Sequence, residues 1–178
     1  MPYITTAELA ERPGAREIAM VASTQTHPVR DETLMDATLR GTDRSAWTAE
    51  QIAAADAALK RVQDAVAEAG ALIDGYLVQR GHPLPLQLPP TSTGKSVLTS
   101  WARAITRYLL NQNRVTDESK DPIARDYREA LKMLGLLAQG KFSLGAADPE
   151  AALNTVSTDV RFDGDEPVFG RRQLRYFR

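Results

Sequence analysis

The chain has 178 residues, a formal net charge of -1, 25% charged residues and no cysteine. That length suits one domain with a core of its own, the near-neutral balance gives no whole-chain attraction to nucleic acid or membrane, and the missing thiols exclude disulfides and thiol catalysis. No apolar run approaches the ~20 residues of a membrane span, and the opening MPYITTAELAERPG lacks the basic and apolar regions of a signal peptide, so a soluble protein made inside the cell is expected.

Taken in chain order, Thr5 or Thr6 caps a short helix through Leu9, and Pro13-Gly14 interrupts it before a second piece from Arg16 to Ala22. Asp31 to Leu39 reads as helical, with Leu34, Met35 and Leu39 as its apolar side, and Gly41-Thr42-Asp43 as the loop after it. The strongest signal begins at Thr48, which stands three residues before Gln51 in a capping box. From there Ile52, Ala55, Leu59, Val62, Val66, Ala69, Ile73 and Tyr76 step by threes and fours, as a packed helical seam does. One helix from Ala49 to Arg80 would be about 48 Å long. Its polar flank carries Lys60, Asp64, Glu68 and Asp74, most simply a solvated face.

Gly81 is a left-handed stop, and Pro83 forbids the helix from resuming. Pro83, Pro85, Pro89 and Pro90 then favour an extended backbone, on which Leu84, Leu86 and Leu88 alternate with a period of two and face one side. Two readings of this strip stay open: an ordinary connector between helices, and a subunit contact. A third helix is expected from about Ser96 to Gln112, with Val97, Leu98, Trp101, Ile105, Tyr108 and Leu109 on one face and Arg103 and Arg107 on another. Arginines four apart repel unless an acid lies opposite, and Asp64, Glu68 or Asp74 is the expected partner. A fourth helix starts with Asp121 as cap and Pro122 at its first position, follows Ile123, Tyr127, Ala130, Leu131, Leu134 and Leu137, and stops at Gly140. Helices three and four would each cover about 25 to 27 Å, little more than half the long helix. The rest of its seam needs the N-terminal pieces or a neighbouring copy, and the sequence does not choose between them.

After Gly140 the periodicity fades, which divides the chain into a helical domain over 1–145 and an extended C-terminal arm over 146–178. The arm ends in RRQLRYFR, with four arginines and no acid, and Val168, Phe169, Leu174, Tyr176 and Phe177 beside Arg171, Arg172 and Arg175. Such a tail suits a protein groove, a sheet edge or nucleic acid. Protein is favoured, because Asp159, Asp163, Asp165 and Glu166 immediately upstream would oppose a phosphate backbone.

Several motifs for chemistry fail on inspection. Gly94-Lys95-Ser96 imitates the end of a phosphate-binding loop, but the first glycine it needs would stand where Pro89 is. Asp159, Asp163 and Gly164 fall at calcium-loop positions, but Arg161 and Gly170 occupy two that need oxygen ligands. His27 and His82 sit in loops beside prolines without a second ligand and read as surface histidines. Neither an enzyme nor a cofactor or metal site is expected.

Taken together, the residues resemble a family. Tyr3-x-Thr5 with Glu8-Leu9, then Ile73-Asp74-Gly75-Tyr76-Leu77, Leu84-Pro85-Leu86 and Pro89-Pro90 follow the pattern of Mu-like phage and prophage proteins grouped with head-to-tail connectors. Ala104-Ile105-Thr106-Arg107-Tyr108-Leu109 is similar to that family's third helix. Tyr127-Arg128-Glu129-Ala130-Leu131 with Gly140 to Gly145 is similar to its fourth, and Val168-Phe169-Gly170-Arg171 with Leu174 to its C-terminal arm. The segment from about Thr26 to Thr48 is longer than in that pattern, and residues between Leu144 and Val160 depart from it. The resemblance implies an all-α adaptor: a bundle of about four main helices, one of them long, with a Pro-rich connector and an extended arm. It implies a homo-oligomeric ring, typically of twelve copies, made in the bacterial cytoplasm and placed at the head-to-tail junction of the virion. The ring would sit between the portal protein and a stopper or tail terminator, with genomic DNA passing through its lumen. Leu84, Leu86 and Leu88 would then lie at a subunit contact, Arg103 and Arg107 in charged pairs or on the lumen face, and the arm from Val168 onward would dock on a partner. The alternative is a small helical DNA-binding or regulatory protein that uses Arg103, Arg107 and the terminal arginines.

Overall fold

In a computed structural model of the chain, residues 2–89, 91–114, 117 and 119–145 are described. The C-terminal arm, 146–178, lies outside these residues. All regular structure among the described residues is helical: α1 Thr6–Leu9, α2 Ala15–Ala22, α3 Glu32–Arg40, α4 Ala49–Arg80, α5 Thr93–Asn111 and α6 Pro122–Ala138.

Local chemistry sets the ends. Thr5 and Glu8 form one capping box at α1, and Thr48 and Gln51 a second at α4. Asp31 caps α3 and Asp121 caps α6, with Pro122 in its first turn. Between α1 and α2 the coil breaks at Arg12, whose φ of -150° and ψ of 116° are extended, just before Pro13. α5 begins at Thr93, three residues earlier than the apolar pattern suggests, because the Ser92 hydroxyl accepts from the Lys95 amide and supplies a cap that periodicity does not register.

α4 is continuous over 32 residues and is the axis of the fold. α5 and α6 pack on it and on each other as a three-helix bundle, while α2 and α3 lie against it as a second layer. Ala55, Val62, Val66, Ala69 and Ile73 are buried as the seam predicts, whereas Ile52, Leu59 and Tyr76 are half-buried and Ala58, Ala65 and Leu77 complete the face. A helix touched by four others buries a wider face than a single stripe.

The excess seam is covered within the chain. Arg44 pairs with Asp56, and the Arg61 guanidinium donates to the carbonyls of Ala22 and Ser23 at 3.3 Å. These ties set the first half of α4 beside the end of α2 and the α3–α4 loop. The N-terminal pieces, of the two candidates, supply the missing partner.

Past α4 the chain folds back. The Gly81 amide donates to Val78 and the His82 amide to Leu77 at 3.0 Å, around a left-handed Gly81. This motif tucks His82 over the helix end, so the ring expected on the surface is only 3% exposed. The proline strip bends at Leu84 and Pro85 and alternates only afterwards. Leu86 and Leu88 consequently pack on the core beside Tyr3 and Leu98, while Leu84 remains 41% exposed.

The last described turn is pinned to α5. Phe142 meets Trp101 with ring centroids 5.6 Å apart, and Leu144 is buried. Its carbonyl lies so close to Gly94 that a Cβ there would stand 2.6 Å from the oxygen. The glycine of the phosphate-loop lookalike is therefore a packing residue.

Candidate functional site

The two arginines of α5 part company. Arg107 donates through two nitrogens to the Glu17 carboxylate of α2, the second contact being 2.8 Å. This raises its already high pKa, chiefly through the Glu17 hydrogen bond and against the opposing effect of burial. The acids of α4 do not take this role, because α2 rather than α4 covers that face of α5. Asp74 instead accepts from the Tyr3 hydroxyl. Burial, the Asp74 hydrogen bond and the Asp74 charge together push the Tyr3 pKa up.

Arg103, one turn before Arg107, has no hydrogen bond or ion pair among the described residues, and its Nε is buried. It lines a groove of about 540 Å³ between the break at Arg12, α5 and α6, with Arg12 and Arg107 beside it and Glu17, Asp126 and Glu129 on the walls. Mixed charge of this kind fits a polar protein segment better than a phosphate backbone. Tyr108 and Tyr127 stack with centroids 4.0 Å apart, joining α5 to α6.

A second groove, of about 580 Å³, runs between residues 2–6 and the outer side of α4. Its floor is Val66, Ala67, Gly70 and Ala71, faced by Pro2 and Ile4. Sequence reasoning took this side of α4 for a plain solvated face, since alanine and glycine between acids carry little hydrophobic signal. Leu84 is the exposed member of the leucine strip, whereas Leu86 and Leu88 pack against the core. Val168, Phe169, Arg171, Arg172, Leu174, Arg175, Tyr176 and Phe177 lie outside the described residues. Among those described, no group of three metal-ligating side chains occurs and no helix is long and apolar enough to cross a membrane.

Residues 3–161 match the family model described as Bacteriophage Mu, Gp36. The chain belongs to the phage Mu gp36 family. The relatives agree. It is 29% identical over 148 residues to the Mu-like prophage FluMu protein gp36 of Haemophilus influenzae, a match covering 83% of this chain and 95% of that protein. It is 32% identical over 111 residues to gene product J of Escherichia phage Mu, covering 62% of this chain and 72% of the relative. For gp36-family membership the match is broad: it takes in every helix described above and runs past Gly145 into the arm.

Proposed function

We propose that this phage protein is a non-catalytic adaptor of the head-to-tail junction, assembling as a ring of about twelve copies beneath the portal. The ring offers its far face to a stopper or tail terminator, and genomic DNA passes through the lumen without sequence-specific contact. The observation that carries this reading is the match of residues 3–161 to a phage Mu family. Two features support it: a helical body closed by Leu144, and a separate sequence ending in arginines and aromatics. Leu84 is the residue of the strip available to a subunit contact, and Arg103, a cation of α5 without a pair among the described residues, is available to a lumen face or partner carboxylate. Deleting Asp165 to Arg178 should leave the helix content unchanged and abolish attachment to portal-bearing heads. Rings are expected by electron microscopy of the protein or its particle. Normal attachment by the truncated chain removes the arm from the mechanism, and failure to find rings in the particle overturns the adaptor reading.

One observation favours a second reading: Arg103, Arg12 and Arg107 line one groove, as a DNA-binding protein would require. Tight duplex binding that weakens steeply with salt would support it. Glu17, Asp126 and Glu129 on the same walls argue against it.

A further inference from the structure

The groove between residues 2–6 and α4 has an apolar floor and an acidic margin. Val66, Ala67, Gly70 and Ala71 form the floor on two successive turns. Asp74 lines one end. Asp64 and Glu68, both exposed, precede Ala67 and Ala71 by three positions and so stand beside them on the helix surface. No lysine or arginine is among the described residues lining the groove; Lys60 and Arg61 stand one turn before Asp64, and the Arg61 guanidinium is engaged by the Ala22 and Ser23 carbonyls.

Gly70 adds a second argument. A glycine inside a helix costs about 1 kcal/mol relative to alanine. Nothing lies within 4 Å of the position a Cβ would take at Gly70, so packing within the described chain does not call for the missing side chain. The open space is what an occupant from outside the helical body would use.

We propose that the terminal segment Arg171–Arg178 of the same chain occupies this groove in the free subunit. In RRQLRYFR, Leu174 and Tyr176 fall on one side of an extended backbone, suited to the apolar floor, and four arginines meet the acidic margin. The acids Asp159, Asp163, Asp165 and Glu166 are repelled by the same margin, which confines the contact to the chain's last residues. Reach is ample. The described fold stops at Gly145, next to Leu144 on the first turn of α5, and Thr99 on the following turn donates to the carbonyl of Tyr3, the neighbour of Pro2 and Ile4. Twenty-five residues, 146–170, separate Gly145 from Arg171, a contour of at most about 80 to 90 Å. The segment engages the groove whether or not the protein forms rings, so the proposal stands or falls separately from the adaptor reading.

The chain has no cysteine, so Arg178→Cys supplies a unique site for a nitroxide spin label on the otherwise full-length protein. The label should broaden the amide resonances of Ala67, Gly70 and Ala71 and spare that of Lys132 on the exposed side of α6. Asp64→Lys with Glu68→Lys should relieve the broadening, as should Gly70→Leu, which fills the groove without disturbing the body. The proposal is overturned if no groove resonance broadens. It is equally overturned if Ser100 and Glu129 of the arginine groove broaden instead. A third overturning result is broadening found only when isotope-labelled, unmodified protein is mixed with spin-labelled protein, because a second copy is then the donor.

Discussion

Helices α1, α2 and α3 are four, eight and nine residues long, whereas α5 and α6 have nineteen and seventeen. Helices as short as the first three have little stability alone, so their order comes from what they touch. The fastenings differ accordingly. α5 and α6 meet the long helix and each other through Leu98, Ile105, Leu134 and Leu137, all buried, with aromatic pairs at both ends. The N-terminal layer adds single polar ties to its buried residues: Arg61 to the end of α2, Arg107 to Glu17, Arg114 to the Met20 carbonyl at 2.7 Å, and Thr6 to the Leu39 carbonyl at 2.8 Å. One region is held mainly by area, the other also by directed bonds that fix where short helices sit.

The two tryptophans fall one in each region, Trp47 after α3 and Trp101 on α5, so each can report its own side. The largest expected effect comes from Leu134→Ala, which removes a fully buried side chain from α6 and should cost about 3 kcal/mol. If the N-terminal layer borrows its stability from the bundle, Trp47 and Trp101 will lose their folded signals at the same lower denaturant concentration. A Trp47 transition left where it was would mean that the layer stands alone.

Gly94→Ala comes next. A methyl group 2.6 Å from the Leu144 carbonyl forces one backbone or the other to move, at a cost of about 1 to 3 kcal/mol. The consequence should stay local: Phe142 withdraws from Trp101, the indole emission shifts to the red, and protease cleavage near 142–145 accelerates. An unchanged Trp101 spectrum would show that the loop does not depend on that close approach.

A smaller effect is expected at the tie between layers. The Glu17 and Arg107 side chains are each about 30% exposed, so solvent screens the pair, and a double-mutant cycle with Glu17→Gln and Arg107→Gln should return about 1 kcal/mol. Coupling near zero would reduce the contact to geometry without energy.

The difference between the regions also explains what the sequence disclosed. The bundle was legible because its helices repeat a pattern many times: the α4 seam, the Asp121-Pro122 start of α6 and the glycine stops all carry local signals. The partners of Arg107 and Asp74 were not legible, since each depends on which helix covers which face at separations of 90 and 71 residues, and charge alone cannot choose among acids. His82 was misplaced because its burial follows from a helix-end motif that turns the backbone back on itself, although Gly81 had marked that end. The groove on α4 passed for a solvated flank because its floor is made of small residues. Leu84 separated from Leu86 and Leu88 because period-two alternation holds only while the backbone stays extended, and it bends there.

The smallest effect is an acid-sensitive bond inside the N-terminal layer. Asp31 accepts from the Thr33 hydroxyl and from the Trp47 indole at 2.7 Å, and with the Thr33 amide these bonds lower its pKa to about 2. The unfolded value is about 3.9. A depressed carboxyl pKa contributes stability that is full above the unfolded value and disappears as pH falls through the folded one, so the window runs from about pH 4 down to about pH 2. Asp31→Asn keeps one oxygen to accept the α3 cap bonds, replaces the oxygen that Trp47 meets by an amide nitrogen that cannot accept, and removes the charge. The variant should therefore be less stable than the parent near neutral pH, and the gap should close across that window when denaturation is followed through Trp47. A gap that stays constant as the pH falls would mean that the charge of Asp31 contributes nothing and that the cap acts through its geometry alone.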